Sequence, residues 1–414
     1  MNQQASSSPR QVAFQCLLKW ENSRFFAETI IDQISEEARL GKSDRSLAQA
    51  IVFGVLRNKT WLDDVISRLR EGKLDQQTRI LLEIGLCQAF IMNLAEHAAV
   101  FETVNLAPTR VKGLVNAILR GALRNGEAIL KERQTLPLPI AYSMPEWLVD
   151  KWSAQFGKEQ TKALLEWNNT PPSLFARRNP LMPLGSDSES LIPLKNIPGW
   201  YEINGPLPIN SIRSGSLYVA DPSTRHAVEL LAPKKGERIL DACAAPGGKS
   251  AAILSLSGGL VKLTATDAAE HRLPMLLSNL EKQGAKEPVE TACMDWTQPC
   301  PPCWKNFFDG ILLDVPCSNT GVIQRRVDVR WRITPREIER LSAIQLQILS
   351  NAAEAVRRGG RIVYSTCSIE EEEDKGVIES FLKTHPDFRL EKENLALPFR
   401  QQADGAYAAL LIRA

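Results

Sequence analysis

The chain has 414 residues, too many for one ordinary hydrophobic core, so two or three domains are expected. Its 50 Lys+Arg against 48 Asp+Glu exclude a histone-like polycation, and any nucleic-acid site has to be a local basic patch. Residues 1–10 are polar, without the apolar segment of a secretory signal, and no apolar run reaches the roughly 20 residues that span a bilayer. Eight scattered cysteines without an export signal read as reduced thiols, so a cytoplasmic protein without membrane attachment is expected.

In chain order, residues 1–135 carry helical patterns almost exclusively. Leu62, Val65, Ile66 and Leu69 recur at i, i+3, i+4 and i+7, and Leu114, Val115, Ile118, Leu119 and Leu123 repeat that stripe. Pro9 and Pro108 are the only prolines before Pro137, so an all-α domain is expected over 1–135. Leu136-Pro137-Leu138-Pro139 reads as a linker into a small α+β connecting module over 136–215. That module holds Trp147, Trp152, Phe156 and Trp167, then a Pro-rich part with an exposed loop at 185–190. From residue 216 strands and helices alternate: strands at 238–242, 261–266, 310–313 and 361–364, helices at 249–257 and 335–356. This grammar implies an α/β domain over 216–414, Rossmann-like, with a mostly parallel sheet covered on both faces.

The turn after the first of these strands, Asp241-Ala242-Cys243-Ala244-Ala245-Pro246-Gly247-Gly248-Lys249, lets a ligand approach the backbone beside a helix N-terminus. It has neither P-loop nor dinucleotide spacing. Asp267 ends the second strand, where an acid commonly accepts from ribose hydroxyls, and Asp295 lies where it could meet an adenine edge. Helix capping is the rival, less favoured reading of both acids. A nucleoside cofactor with no required phosphate fits these parts, which points to S-adenosylmethionine. Cys317, in Asp314-Val315-Pro316-Cys317, and Cys367, in Ser365-Thr366-Cys367-Ser368, each follow a buried-looking strand. Strand ends of an open α/β sheet face the ligand crevice, so two thiols there suggest covalent chemistry on an electrophilic carbon rather than two small core side chains.

Asp-Ala-Cys-Ala-Ala-Pro-Gly-Gly-Lys, Asp-Val-Pro-Cys-Ser-Asn-Thr-Gly and Ser-Thr-Cys-Ser-Ile-Glu resemble the motifs of the RNA 5-methylcytosine methyltransferases of the Sun/Fmu/NOL type, over residues 218–413. The helical N-terminus, with Val115-Asn116-Ala117-Ile118-Leu119-Arg120, resembles the NusB-like RNA-binding domain of the bacterial 16S ribosomal RNA member. The resemblance implies Cys367 as nucleophile toward cytosine carbon 6, Cys317 in product release, and Asp314 as the acid contacting the base. It implies Cys243, Ala244, Ala245, Pro246, Gly247, Gly248, Lys249, Asp267, Arg272 and Asp295, with Asp314, on the cofactor side. The implied substrate is unassembled or early-assembly small-subunit ribosomal RNA, bound by a monomer without a metal. Val315, Ser250, Ala269 and Ala220 depart from the usual family residues, and none of these removes a catalytic group.

Arg325, Arg326, Arg330, Trp331 and Arg332 follow the Pro-Cys motif and suit phosphate contact and stacking on an unpaired base. Residues 105–135 carry six basic side chains, Arg120 and Arg124 among them, against Glu127 and Glu132, a second candidate RNA contact. Cys300-Pro301-Pro302-Cys303 lacks a second pair for a four-thiolate metal site and reads as an exposed loop. The run Glu370-Glu371-Glu372-Glu373-Asp374 reads as the start of a helix, where acids oppose the dipole favourably. His97, His226, His271 and His385 form no ligand set. Transfer RNA methylation, a non-catalytic RNA-binding assembly factor and a DNA cytosine methyltransferase using Cys317 as nucleophile are the rival readings.

Overall fold

The computed structural model describes residues 8–414; residues 1–7, which hold much of the polar stretch read as lacking a secretory signal, lie outside them. The chain forms two compact units, one of residues up to Thr170 together with Arg326–Arg332, the other of Pro171–Arg325 and Ile333–Ala414. No helix among the described residues is long and apolar enough to cross a membrane.

The first unit is helical throughout. Its opening helix, Pro9–Glu21, starts where Ser8 accepts from the Gln11 amide and Pro9 supplies a pre-set φ at the first turn. Asp75 caps Gln76–Leu86 in the same way through the Thr78 amide. The long helix Lys42–Leu69 buries Ile51, Val55, Leu56, Trp61, Leu62 and Val65, and Thr109–Arg124 buries Val115, Ile118, Leu119 and Ala122. The helical stripes expected from the sequence are therefore core-facing. Two further helices, Glu146–Phe156 and Lys158–Asn169, belong to the same compact unit.

The second unit begins with a small antiparallel sheet of β1 (Phe175–Arg178), β2 (Leu191–Pro193), β3 (Trp200–Ile203) and β4 (Leu217–Val219), in the order β2-β3-β1-β4. The large sheet follows, with β5 (Arg238–Asp241), β6 (Lys262–Asp267), β7 (Val289–Cys293), β8 (Phe308–Asp314), β9 (Val356–Thr366), β10 (Phe388–Ala396) and β11 (Ala406–Arg413). Its order is β10-β11-β9-β8-β5-β6-β7. The five strands from β7 to β9 are parallel, and β11 and β10 add an antiparallel edge.

Side-chain alternation along the strands divides the apolar residues between two layers. Leu240, Ile311, Leu313, Ile362 and Tyr364 pack with Ile348, Leu349, Val377 and Phe381 of one helical layer. Ile239, Leu263, Leu312 and Val363 pack with Val228, Leu231, Ile253 and Leu276 of the other. The expected α/β, Rossmann-like sheet is present. Strand order reverses at β5, whose neighbours are β6 and β8, so the crevice for a ligand opens at the carboxyl ends of β5 and β8.

Candidate active site

The β5 turn and the helix Gly248–Leu256 make one wall of that crevice. Gly247 adopts φ +107°, which L side chains rarely adopt, and a Cβ on Gly248 would lie 3.1 Å from the Tyr218 ring. Asp241 is fully buried; Ser250 Oγ donates to its Oδ2 at 2.5 Å, while its Oδ1 has no hydrogen-bond partner. Burial, with Asp314 nearby, pushes this carboxyl up to about 7 against the Ser250 hydrogen bond. Burial likewise pushes the Cys243 thiol up, so it is a neutral group in the turn.

Asp267, at the end of β6, accepts from the Ala245 amide at 3.2 Å and the Ala269 amide at 3.0 Å. Arg272 pairs with Asp267 at 3.2 Å and donates to the Ala245 carbonyl at 2.6 Å, tying acid and turn together. Asp295 is exposed beyond β7, where one of its oxygens accepts from the Thr297 amide at 2.9 Å and hydroxyl at 2.8 Å. The turn thus carries a buried acid with an orphaned oxygen, and carboxylates follow at the ends of β6 and beyond β7. An elongated nucleoside with a cationic amino-acid tail fits this donor and acceptor set.

On the other side of the crevice, Asp314 ends β8 and Thr366 ends β9, and the loops that follow bring Cys317 and Cys367 to a sulfur–sulfur separation of 3.2 Å. The Cys367 thiol also lies 3.2 Å from Asn319 Oδ1, while Asn319 Nδ2 donates to the Cys317 carbonyl at 2.9 Å. Asn319 sits in the left-handed region, φ 62°, a conformation Asn tolerates better than most residues. A hydrogen bond with Cys367 and burial push the Cys317 thiol well above its usual range, so Cys317 keeps its proton. Lys249 reaches across from the turn, and its Nζ lies 2.6 Å from Asp314 Oδ2. Burial would strip the proton from this lysine, but Asp314 outweighs burial and holds the ammonium charged.

The acidic run after Cys367 corrects the sequence expectation. The helix starts only at Lys375, and Glu373 and Asp374 are buried rather than solvated dipole partners. Glu373 accepts from the Ser318 amide at 2.8 Å, from the Ser368 hydroxyl at 2.6 Å, from Gln345 Nε2 at 2.9 Å and from the Ser318 hydroxyl. Asp374 accepts from the Thr366 hydroxyl at 2.6 Å. One carboxylate therefore holds the residue after each cysteine. The sequence gives no separate signal for Glu373, since four consecutive glutamates look alike until the loop is folded. Cys300, expected in an exposed loop, is instead buried in the sheet's core, and Cys303 is exposed.

The residues expected to touch RNA fall into two sets. Arg326, Arg120 and Arg124 are exposed. Arg325 is instead committed to Asp221 at 2.8 Å and Asp404 at 2.7 Å. Arg330 is fully buried, with its guanidinium donating to Asn169 Oδ1 at 2.7 Å, the Asn168 carbonyl at 3.0 Å and the carbonyls of Arg57, Tyr142 and Ser143. Trp331 packs on the helical core and donates to the Leu56 carbonyl at 3.0 Å, and Arg332 lies over the Trp20 ring at 4.7 Å. The Arg-Trp-Arg pattern that reads as stacking and phosphate contact is spent on helix carbonyls and apolar packing. No group of three or more metal-binding side chains occurs among the described residues.

Comparison with known proteins adds to this geometry. Residues 228–411 match the family described as 16S rRNA methyltransferase RsmB/F, residues 7–124 the NusB family, and residues 144–183 the ferredoxin-like domain of RsmF/B-like methyltransferases. The ribosomal RNA small subunit methyltransferase B of Citrobacter koseri is 31% identical over 433 residues, covering 96% of this chain and 100% of that protein. Its counterpart from Escherichia coli O127:H6 is 32% identical, covering 95% of this chain and 99% of that protein. Among solved structures, PH0851 superposes with a TM-score of 0.77 at 22% identity, covering 98% of this chain and 99% of that one. NSun6 from Pyrococcus horikoshii with SFG gives a TM-score of 0.58 at 18% identity over 65% of this chain and 98% of that one. At these identities the two structures speak for the fold.

Proposed function

From a chain that belongs to the ribosomal RNA small subunit methyltransferase B family, we propose an enzyme that methylates carbon 5 of one cytosine in small-subunit ribosomal RNA through a covalent Cys367 adduct. The observation that carries this reading is the 3.2 Å contact of two thiols beside the Lys249–Asp314 pair.

Carbon 5 of cytosine is too weak a nucleophile to take a methyl group unaided. Attack of the Cys367 sulfur forms a bond to carbon 6 and pushes an electron pair through the ring, leaving carbon 5 enamine-like. The negative charge gathers toward ring nitrogen 3, where Asp314 hydrogen-bonds the base edge and the Lys249 ammonium bridged to it is the source of the proton. Cys317, keeping its own proton, donates a hydrogen bond that favours the attacking sulfur as thiolate. After methylation the carbon-5 proton passes to solvent water, its electron pair restores the ring double bond, and the sulfur–carbon bond breaks with its pair returning to the Cys367 sulfur. The Cys317 thiol, still protonated and against the adduct, suits hydrogen bonding to the departing Cys367 thiolate and so aids this release.

S-adenosylmethionine, the cofactor of this family, supplies a methyl on a positively charged sulfur. Residues 243–249 would hold its amino-acid end, with the orphaned Asp241 oxygen able to accept from an ammonium. Asp267 would meet the ribose hydroxyls and Asp295 the adenine edge. Arg120, Arg124 and Arg326, exposed cations, remain as RNA contacts of this proposal.

The test uses labelled S-adenosylmethionine with unmodified small-subunit RNA. Wild type is expected to label cytosine carbon 5, Cys367→Ala to give no transfer, and Cys317→Ala to trap a denaturant-resistant protein–RNA adduct. Full activity in Cys367→Ala would overturn the nucleophile assignment, and label on a different atom would overturn the reaction.

A further inference from the structure

Between the small sheet and the helices Arg225–Leu231 and Gly248–Leu256 lies a cavity of about 600 Å³, all of it within the second unit. Arg177, Arg178, Arg225 and Lys249 line it, with Glu229 as the one acid. Two of these cations are already neutralised. Arg225 pairs with Glu229 at 3.3 Å, and the Lys249 ammonium is turned to Asp314. Arg177 and Arg178 have no ion pair among the described residues.

Arg177 is the more informative of the two. In the sheet register it stands directly between Trp200 of β3 and Tyr218 of β4, so the three share one face. Tyr218 rests in turn against Gly248 at the start of the cofactor-side helix, where a Cβ would meet its ring. Burial depresses the Arg177 guanidinium to about 10, and one of its terminal nitrogens is buried without a hydrogen-bond partner. A half-buried guanidinium with one buried nitrogen lacking an acceptor is a costly arrangement, and an anion entering the cavity relieves it. The helix N-terminus at Gly248 and Lys249 adds its own positive end to the same space.

We propose that this cavity binds a backbone phosphate of the RNA strand that delivers the target cytosine, with Arg177 and Arg178 as its ligands. The proposal rests on the RNA methyltransferase reading above. Lys249 connects the two places, since it lines the cavity while its ammonium bridges to Asp314. A phosphate held here sits one side chain from the reacting base, and the guanidinium fork matches phosphate oxygens in pairs. The cavity would thus fix strand register, which the base-contacting groups alone do not.

The experiment measures binding of an unmodified small-subunit RNA hairpin across a salt series for wild type, Arg177→Gln and Arg178→Gln. Each variant is expected to weaken binding about tenfold and to lower the slope of log affinity against log salt by about one. The KM for RNA should rise with kcat at saturating RNA retained, while S-adenosylmethionine affinity and the unfolding temperature stay at wild-type values. Arg178→Gln keeps the test open if the more buried Arg177 variant fails to fold. Wild-type RNA affinity and salt slope in a folded variant overturn the proposal. So does loss of inorganic phosphate or cytidine monophosphate binding with RNA binding intact, which would mark a small-anion site. RNA affinity is read without turnover, so a wild type that binds through these arginines but labels no RNA refutes the reaction and leaves the cavity standing.

Discussion

Replacing Glu373 by alanine tests whether one buried carboxylate sets the geometry of both thiols. Glu373 is fully buried and takes hydrogen bonds from Ser318, Ser368 and Gln345, the first two being the residues that follow Cys317 and Cys367. Burial raises its carboxyl, and the bonds from Ser318 and Ser368 lower it, so it is held by donors rather than by a cation. Truncation orphans the Ser318 amide and one N–H of Gln345, whose Nε2 keeps its bond to the Pro316 carbonyl, at about 1–3 kcal/mol each. The two hydroxyls cost less, because Ser318 and Ser368 already lie 3.1 Å apart and can bond each other. The sum is on the order of 3–5 kcal/mol of stability. The kinetic effect is separate, since a displacement of about 1 Å at a reacting centre costs roughly 100-fold in rate. Glu373→Ala is therefore expected to lose about 100-fold in kcat in the folded fraction, with KM for S-adenosylmethionine little changed. Glu373→Gln keeps the shape and two acceptor positions, and should recover most of both losses. Denaturant unfolding and single-turnover methyl transfer measure the two quantities independently. A Glu373→Ala protein with near wild-type stability and kcat would refute the view that this carboxylate positions the cysteines.

Arg330→Ala leaves several helix carbonyls and the Asn169 amide oxygen without their donor, and should cost about 3–5 kcal/mol in denaturant unfolding. RNA affinity of its folded fraction should stay at wild type; a large loss of affinity at unchanged stability would restore the RNA-contact reading. Lys249→Met removes the cation 2.6 Å from Asp314 and should lower kcat about 100-fold, and unchanged turnover would exclude this pair from base activation. Asp241 has a folded-state carboxyl raised from 3.8 to about 7, so the folded protein binds more protons than the unfolded chain between those values. Its contribution to stability is complete below about pH 4 and is lost as pH rises to about 7, by up to roughly 1.4 kcal/mol per pH unit. Asp241→Asn should remove that fall, and parallel stability–pH curves for the two proteins would show that Asp241 does not titrate there.

The fold was legible where one physical rule acted alone. Stripes such as Leu62–Leu69 mark a helix because only one face is buried, and the short apolar runs before Asp241 and Asp314 mark strands buried on both faces. The antiparallel edge was not foreseen. β10 is exposed along much of its length, so it carries little hydrophobic pattern, and Ala-Tyr-Ala-Ala-Leu-Leu-Ile in β11 reads equally as a buried helix. β9 extends back to Val356, which the helical periodicity from Pro335 had absorbed, although that helix ends at Ala353. Its start is explicit in the sequence, with Thr334 accepting from the Glu337 amide and Pro335 at the first position.

The site divides along a similar line, between groups that act on a ligand and groups that hold those groups. Cysteines after strands, an acid at a strand end and a glycine turn are each unusual enough locally to be noticed, and the fold brings Asp314, Cys317, Cys367 and Lys249 to one crevice. Asn319, Glu373 and Gln345 are common polar residues whose meaning lies in partners tens of residues distant. Arg330 shows the converse error. An arginine beside a tryptophan has the composition of an RNA contact, and the same amphipathic stem and fork of donors serve equally to bind helix carbonyls in a dry interior. Burial decides between the two uses, and burial is set by the whole unit. Arg177 belongs to neither case, since it is half-buried where Arg330 is fully buried and lacks an acceptor for one buried terminal nitrogen, and it is that missing partner that marks it as a candidate binding residue.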